Sequence, residues 1–297
     1  MKVAFADMYS GFHNDIMGNP ISRYFAASPE HQIVSPNDNP DLIIASVFGN
    51  SHTRYREAKK ILWSGENIAE EAGWRQIVSF DDVDWSMLTN DPQEINLPKN
   101  DSITHYFVPY GMVHYDIDEI EALHQKNIAR EKKKFCCFVC SNAGKADGYQ
   151  LRNSFFSMVN NLYQKVDSAG RHLNNTGTFA PRGDDYFNWV SEYKFMICFE
   201  NSAGPGYLTE KIFTPYASGT IPIYWGDKSN YDFIRREAGI FFTTPTETLQ
   251  EVMKLDADPE RYNAMLQEQL IYDTKKEFLS RKRLYSILDS ICEEMKS

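Results

Sequence analysis

The residues whose types and spacing best suit chemistry lie at 199–227, FENSAGPGYLTEKIFTPYASGTIPIYWGD. The apolar run at 195–199 predicts a buried strand, and the Gly-Pro-Gly at 204–206 predicts a loop after it. The apolar residues that follow recur at helical spacing until Gly219, and 220–225 predicts the next buried strand. The stretch is therefore predicted to form a strand, a glycine-rich loop, a helix and a second strand.

Such a unit can hold an anion where its helix begins. The first N–H groups of a helix have no intrahelical partner, and the helix dipole places its positive end there. Phosphates bind at such positions in α/β proteins. Lys211, in the first predicted turn, adds a full positive charge. Taken alone, these residues predict an anion site without saying which anion.

Alternating short strands and helices around this stretch predict an α/β chain. In the first half, strands are predicted at 3–5, 32–34, 42–47, 61–63 and 76–80, and helices at 20–27 and 55–60, before a polar loop over 81–101. In the second half, strands are predicted at 135–140 and 240–243, and helices at 151–163, 185–193, 246–254 and 259–271. The continuous apolar run at 42–48 favours a parallel sheet covered on both faces, as in Rossmann-like domains.

A charged segment at 116–134, predicted to be a helix or linker, separates the two halves. The predicted domains are 1–130 and 131–275, followed by an amphipathic helix at 276–297. The apolar residues of that helix recur at i, i+3, i+4 and i+7, which favours packing on the body of the protein. The alternative is contact with an anionic membrane surface, because basic residues cluster where the helix begins: Lys275, Lys276, Arg281, Lys282 and Arg283.

Bulk composition narrows the class of protein. A chain of 297 residues is long enough for two domains, and 42% hydrophobic residues indicate an ordered globular protein. A net charge of −10 argues against a general nucleic-acid binder, which needs a broad basic face. The N-terminus resembles no signal peptide and no window is apolar enough to span a membrane, so a cytosolic chain is expected.

The cysteines and histidines do not predict a metal or redox site. Cys137 and Cys140 are spaced as a C-x-x-C pair, but they fall in a strand-like run, where alternate side chains point to opposite faces. No second pair of Cys or His stands at ligand spacing, and the seven His are scattered. Cationic side chains are expected to stabilise the bound anion in place of a divalent ion. A bound Mn²⁺ or Mg²⁺ is the open alternative.

The central stretch closely resembles the signature of the α-1,3/4-fucosyltransferases, glycosyltransferase family ten. FEN, YLTEK and TIPIYWG occur in the family's order. Three further motifs agree: SGEN at 64–67, LRN at 151–153 and YKF at 193–195. The resemblance spans about 60–226, and agreement at so many ordered positions is much more specific than a lone glycine-rich loop.

The resemblance implies a GT-B fold, two Rossmann-like domains facing across a cleft. In that family the N-terminal domain holds the acceptor sugar and the C-terminal domain holds GDP-fucose. Carried over position by position, Arg152 and Lys211 match the cations that receive the departing diphosphate. The other matches line the donor site, and Glu210 is suited to ribose hydroxyls: Asn201, Tyr207 and Glu210.

Glu66, in SGEN, matches the family's catalytic carboxylate, and a carboxylate base suits an acceptor hydroxyl that must lose its proton. The implied reaction inverts the anomeric carbon and gives an α-fucoside from β-linked GDP-L-fucose. Without the resemblance, Glu66 reads as a loop carboxylate or a helix cap. For Glu200, two interpretations are equally favoured: a structural pairing with a basic residue, and a role near the sugar. Tyr207 and Tyr224 also read as core residues.

The implied acceptor is the 3-hydroxyl of GlcNAc in an N-acetyllactosamine-type glycan, such as a lipopolysaccharide-type glycan. A 4-hydroxyl acceptor, another nucleotide sugar, or a non-catalytic nucleotide- or glycan-binding module are the alternatives. The compact sequence resembles the bacterial members of the family, which act from the cytoplasmic side. The expected location is therefore cytoplasmic, with peripheral contact at the inner face of the membrane through the C-terminal helix as a further expectation.

Overall fold

The structure, a computed structural model, describes residues 1–69, 78–98, 100–144 and 146–297. Within them the chain divides into two compact units. Unit 1 comprises Met1–Asp116, Gly204–Tyr207 and Glu277–Ser297. Unit 2 comprises Ile117–Ala203 and Leu208–Lys276. The short segment Gly204–Tyr207 thus belongs to unit 1, although the residues before and after it belong to unit 2.

The strands of the described chain are β1 (Lys2–Ala6), β2 (Gln32–Ile33), β3 (Leu42–Ala45), β4 (Lys59–Ser64), β5 (Trp85–Leu88), β6 (Thr104–Phe107), β7 (Lys134–Phe138), β8 (Val166–Ser168), β9 (Tyr193–Ile197), β10 (Ile221–Tyr224) and β11 (Ile240–Phe241). The α-helices are α1 (Pro20–Ala27), α2 (Tyr110–His114), α3 (Ile117–Asn127), α4 (Asp147–Leu162), α5 (Asp184–Val190), α6 (Glu210–Ala217), α7 (Pro245–Asp256), α8 (Pro259–Gln267), α9 (Asp273–Lys276) and α10 (Arg281–Glu294). None of these helices is both long and apolar enough to cross a bilayer.

Unit 1 is built on a parallel six-stranded sheet in the order β2-β1-β3-β4-β5-β6. Its central strands read as continuous apolar runs because both faces are covered. One face packs on α1 and α10, whose apolar residues join the core of the sheet. The apolar face considered for a membrane surface is thus buried within unit 1, where Leu284, Leu288 and Ile291 have no exposed surface.

Unit 2 is built on a parallel five-stranded sheet in the order β11-β10-β9-β7-β8. Its core is rich in aromatic rings, with Phe155 of α4 stacked on Phe199 at 5.5 Å between ring centroids. Helices α4, α7 and α8 contribute the apolar residues that cover this core. All strands of a parallel sheet end at the same edge, so the loops after β7, β9 and β10 lie where α/β proteins bind ligands.

The predicted boundary after residue 130 needs correction, because α3 belongs to unit 2. The ring of His124 stacks on that of Tyr216 at 3.9 Å between centroids. Asn127 donates its amide N–H to the Ala217 carbonyl at 2.9 Å. These buried polar contacts tie α3 to α6, a tertiary feature that the charged surface of α3 does not reveal.

Two local predictions in unit 1 are also wrong, and a third falls partly outside the described residues. The predicted helix at 55–60 is absent; β4 begins at Lys59, and a 3₁₀-helix at Ser51–Arg54 precedes it. The predicted loop at 81–101 contains β5, whose Ser86 is buried and hydrogen-bonded to His105 Nδ1 at 2.7 Å. The predicted strand at 76–80 lies partly outside the described residues, and 78–80 forms no strand.

Candidate functional site

The carboxyl end of β9 leads to Glu200 and Asn201, the first two polar residues of the site. Glu200 is fully buried, and its carboxylate accepts hydrogen bonds from Thr209 N at 3.0 Å and Thr209 Oγ1 at 2.7 Å. Tyr224, at the end of β10, donates its hydroxyl to Glu200 Oε1 at 3.2 Å and accepts from Asn230 Nδ2 at 3.0 Å. Burial raises the pKa of Glu200, while Lys211 and Thr209 act to lower it. Tyr224 is therefore both a core residue and part of this polar network.

Thr209 also begins α6, where its hydroxyl caps the helix by accepting from Lys211 N. Lys211 Nζ lies 3.4 Å from Glu200 Oε2, 3.2 Å from Glu210 Oε1 and 3.1 Å from Thr209 Oγ1. Burial acts to lower the pKa of Lys211, but the carboxylates of Glu210 and Glu200 outweigh it and hold that pKa above its ordinary value. The ammonium is therefore charged at neutral pH and points into a cluster that the start of α6 builds.

Arg152 lies in α4, the helix that follows β7, and β7 is the neighbour of β9 in the sheet. Its guanidinium donates to Asn201 Oδ1 at 2.9 Å and to the Asn142 carbonyl at 3.0 Å, and it stacks over the ring of Tyr149 at 4.3 Å. The side chain is only 4% exposed, and its Nε has no hydrogen-bond partner. Within the described part of the chain, no carboxylate forms an ion pair with it. A buried guanidinium without a carboxylate is suited to an anionic ligand.

Gly148 explains why α4 can begin so close to the end of β9. A Cβ at this position would collide with the carbonyl oxygens of Glu200 and Asn201. Only glycine permits this close approach of two backbones. The approach brings Arg152, one turn further along α4, within reach of Asn201. Arg152, Asn201, Glu200, Lys211 and Glu210 are thus joined in one network within unit 2.

Glu66 lies in unit 1, two residues after the end of β4, and is partly exposed. Its carbonyl accepts a hydrogen bond from Ser64 Oγ at 2.8 Å. Gly65 leaves no room for a Cβ, which would collide with the ring of Tyr110. The segment around Glu66 is therefore tightly packed at the carboxyl edge of the sheet, where α/β proteins bind ligands.

Among the predicted donor-site residues, Tyr207 is the one that falls in unit 1, whereas Arg152, Asn201, Glu210 and Lys211 fall in unit 2. Its side chain is only 2% exposed, and its N–H donates to the Gly204 carbonyl at 2.9 Å. Gly206 has φ +73°, and a Cβ there would lie 2.6 Å from the ring of Phe107. The burial of Tyr207 agrees with its reading as a packed residue.

Asn90 is the polar residue of this region that sequence analysis missed. It is fully buried two residues after β5, and its side chain bonds to residues beside Glu66 and to Pro205. The available signal was a Thr-Asn-Asp at 89–91 after the short apolar run that forms β5. That run was placed in a polar loop, so the strand end and its asparagine went unnoticed.

No group of three or more His, Cys, Asp or Glu side chains stands at metal-ligand spacing among the residues that the structure describes. The five cysteines are all buried as free thiols, and burial raises the pKa of Cys136, Cys137 and Cys198. The positive groups of the unit 2 network are the side chains of Arg152 and Lys211.

Comparison with known proteins gives the same assignment for both ends of the chain. Residues 129–297 match the profile of the glycosyltransferase family 10 (fucosyltransferase) C-terminal region, and residues 3–99 match that of the alpha-(1,3)-fucosyltransferase FucT N-terminal domain. Among curated proteins, alpha-(1,3)-fucosyltransferase FucT of Helicobacter pylori is 27% identical over 262 residues, 77% of this chain and 51% of that protein.

Two other relatives show how far the likeness extends. A putative fucosyltransferase of Acanthamoeba polyphaga mimivirus is 27% identical over 81% of this chain and 38% of its own length. GDP-fucose protein O-fucosyltransferase 3 of Bos taurus is 31% identical over 42% of this chain and 28% of its own length. The chain therefore spans about half, or less, of the length of these curated relatives.

Solved structures establish the fold. A crystal structure of an alpha1,3-fucosyltransferase with GDP has a TM-score of 0.72 at 24% identity, covering 99% of this chain and 90% of that one. The crystal structure with GDP-fucose has a TM-score of 0.69 at 22% identity, covering 98% and 90%. An alpha-glucosyltransferase in complex with UDP has a TM-score of 0.56 at 10% identity, covering 97% and 100%. These likenesses show two parallel-sheet α/β domains of the GT-B class.

Proposed function

The chain belongs to glycosyltransferase family 10, and from that premise we propose that it transfers L-fucose from GDP-β-L-fucose to a sugar hydroxyl. One observation carries the proposal: Arg152 and Lys211 are anchored on Asn201 and Glu200, two consecutive residues shortly after β9. Both cations are therefore tied to the same short segment of backbone. Two cations on one segment suit the two phosphates of a nucleoside diphosphate.

The chemistry of the leaving group explains why two cations are needed. Negative charge grows on the diphosphate as the bond to fucose breaks, and preorganised positive charge lowers the barrier. Arg152 is held by Asn201 and Asn142 and stacked on Tyr149, so it is oriented before the donor arrives. Lys211 is held in the same way by Glu200 and Glu210. Neither side chain needs to reorganise when charge develops.

Glu66 is proposed as the general base that takes the proton of the attacking hydroxyl. Attack from the face opposite the leaving group inverts the anomeric carbon, so the β-linked donor gives an α-fucoside. In unit 2, Glu210, in the first turn of α6, is proposed to accept from the ribose hydroxyls of the donor. Glu200 is proposed to hold Lys211 rather than to contact the sugar, because its carboxylate is fully buried and its oxygens bond to Thr209 and Tyr224.

The proposed acceptor is the 3-hydroxyl of GlcNAc in an N-acetyllactosamine-type glycan, supported by relatives whose names specify α-(1,3)-transfer. A protein hydroxyl is the second candidate, because a protein O-fucosyltransferase is 31% identical over part of the chain. No resident metal is proposed, since Arg152 and Lys211 supply the positive charge; metal titration of transfer tests this. A cytoplasmic site of action remains a proposal that cell fractionation would test.

The deciding experiment measures fucose transfer by the full chain and by Glu66→Gln. Donors are GDP-fucose, GDP-mannose and UDP-galactose, and acceptors are N-acetyllactosamine and a folded protein domain with accessible Ser and Thr. We expect transfer from GDP-fucose to N-acetyllactosamine, and a kcat reduced about 10²- to 10⁴-fold in Glu66→Gln. GDP affinity should stay within about threefold, since Glu66 contacts no phosphate in this scheme.

Glu57→Gln is the matched control, because Glu57 is an exposed carboxylate of the same unit. It should retain the wild-type kcat. Near-full turnover by Glu66→Gln would refute the base assignment. Transfer from GDP-mannose or UDP-galactose in place of GDP-fucose would refute GDP-fucose as the donor. GDP binding without transfer from any donor would favour a nucleotide-binding module.

A further inference from the structure

We propose that Asn90 is a positioning residue for Glu66, an inference that rests on the proposed function of Glu66. Asn90 follows β5, and Glu66 follows β4, its neighbour in the sheet of unit 1. The side chain of Asn90 is fully buried in a region where every polar atom needs a partner. Its amide bonds to three different groups, and these groups lie on the two segments whose geometry the reaction would require.

The first segment is the one that carries Glu66. Asn90 Oδ1 accepts from Ile68 N at 2.8 Å, and Asn90 Nδ2 donates to Asn67 Oδ1 at 3.0 Å. On the other side of Glu66, Ser64 Oγ donates to the Glu66 carbonyl at 2.8 Å. Glu66 therefore lies between anchored residues, and the backbone from which its carboxylate extends has little freedom.

The second segment is Gly204–Tyr207, which also belongs to unit 1. Asn90 Nδ2 donates its second N–H to the Pro205 carbonyl at 3.2 Å, and the N–H of Asp91 donates to the same carbonyl at 3.0 Å. Gly204 lies so close to Asn67 that a Cβ would come within 2.5 Å of Asn67 Oδ1. In the sequence this segment stands between Asn201 and Glu210, two proposed donor-binding residues.

The chemistry of the contacts requires an amide at position 90. The Ile68 N–H needs an acceptor, whereas Asn67 Oδ1 and the Pro205 carbonyl need donors. Asn67 Oδ1 also accepts from Ala69 N at 3.0 Å, which fixes the orientation of that amide. Only a side chain with both an acceptor and two donors satisfies all three groups. An aspartate of the same size would set carboxylate oxygen against two acceptors.

The first test compares steady-state kinetics of Asn90→Ala and Asn90→Asp with the wild-type full chain, using GDP-fucose and N-acetyllactosamine. A displaced base lowers the rate of the chemical step, so kcat should fall about 10- to 100-fold. The KM for GDP-fucose should change by less than about threefold, because Arg152 and Lys211 are untouched. Asn90→Asp should lose at least as much kcat as Asn90→Ala.

Asn19→Ala is the matched control for a general loss of stability. Asn19 is also a buried asparagine of unit 1, and its Oδ1 accepts from Ile21 N at 2.9 Å where α1 begins. Its removal should lower the stability of unit 1 by about 1 kcal/mol without touching Asn67, Ile68 or Pro205. Asn19→Ala should keep the wild-type kcat at a temperature where it and the two Asn90 variants are folded.

A double-mutant cycle separates positioning of Glu66 from an independent effect. In a Glu66→Gln background no carboxylate remains to be aligned, so adding Asn90→Ala should reduce the residual kcat by less than about threefold. A further reduction as large as in the wild-type background would overturn the proposal. If Glu66→Gln alone retains wild-type turnover, the proposed function of Glu66 fails, and that result is distinct from the outcome for Asn90.

Hydrogen exchange gives a readout that needs no acceptor substrate. The Ile68 N–H bonds directly to Asn90, so its exchange should accelerate at least about tenfold in Asn90→Ala, while amides of the central strands β1 and β3 keep their protection. Unchanged exchange at Ile68 would overturn the proposal even if kcat fell. Uniformly faster exchange throughout unit 1 would also overturn it, because Asn90 would then act on the whole unit.

Discussion

Lys211 and Glu200 form an ion pair within unit 2, with Lys211 Nζ 3.4 Å from Glu200 Oε2. Glu200 has no exposed surface, whereas the Lys211 side chain is 20% exposed. The carboxylate is therefore the fixed partner, and the ammonium is the one that can meet a ligand. Thr209 connects the two, since it bonds to Glu200 and caps the helix that carries Lys211.

Lys211→Met should weaken the binding of GDP and GDP-fucose about 10- to 100-fold, because a charge-assisted contact to phosphate is lost. The variant should also unfold more easily by about 1–3 kcal/mol, since Glu200 remains buried without its cation. Calorimetry with GDP and urea denaturation measure the two effects. Lys165→Met, which removes an exposed pair with Asp167, should change neither by much.

Arg152→Lys should lose nearly as much GDP affinity as Arg152→Ala, also about 10- to 100-fold. A lysine cannot reach Asn201 and the Asn142 carbonyl together while stacking on Tyr149. Calorimetry with GDP would measure this. Arg261→Lys is the control, since Arg261 pairs with Glu251 on the surface of unit 2. Retained GDP affinity in Arg152→Lys would show that charge alone suffices at this position.

Gly148→Ala should lower the free energy of unfolding by about 1–3 kcal/mol and should also reduce GDP affinity. The added Cβ collides with the carbonyls of Glu200 and Asn201, so the residues that anchor both cations must shift. Gly177→Ala is the contrast: it lies in open space at φ +72°, so it should cost about 1–2 kcal/mol of stability and leave GDP binding unchanged. Equal GDP affinity in the two variants would argue against the role of Gly148.

His124→Phe should reduce the loss of stability at acidic pH. Burial lowers the pKa of His124, against the carbonyls of Tyr216 and Leu266, which act to raise it. Between its ordinary value of about 6.5 and the lower folded value, only the unfolded chain binds the proton, so the free energy of unfolding falls as pH falls. Urea denaturation from pH 8 to 5 should give a shallower slope for the variant. Equal slopes would contradict this prediction.

Residue types and spacing predicted a large part of the fold and of the candidate site. Apolar runs predicted β1, β3, β7, β9 and β10, and the Thr-Glu-Lys after the glycine-rich loop predicted the helix that carries Lys211. These features are local, because strand burial and helix capping depend on neighbouring residues. The resemblance to family ten is likewise a property of ordered residues, and the profile matches confirm it.

Short strands with polar flanks escaped prediction. In β5, Ser86 interrupts the apolar run and bonds to His105 of the neighbouring β6, so the burial of this short strand depends on the sheet around it. The membership of α3 in unit 2 depends on His124 and Asn127, which hydrogen-bond to backbone carbonyls of α6. Neither contact leaves a periodic signal in the sequence.

The stretch from β9 to β10 shows which features follow from the sequence and which depend on the tertiary structure. Its sequence alone determined a strand, a loop and a helix with Lys211 at its start, because those depend on local backbone preferences. Tertiary structure alone decided that Glu200 is buried against Thr209, that Arg152 meets Asn201, and that Gly204–Tyr207 belongs to unit 1 with Asn90. The physical reason is that hydrogen bonds between distant residues form only when packing brings their donors and acceptors to bonding distance.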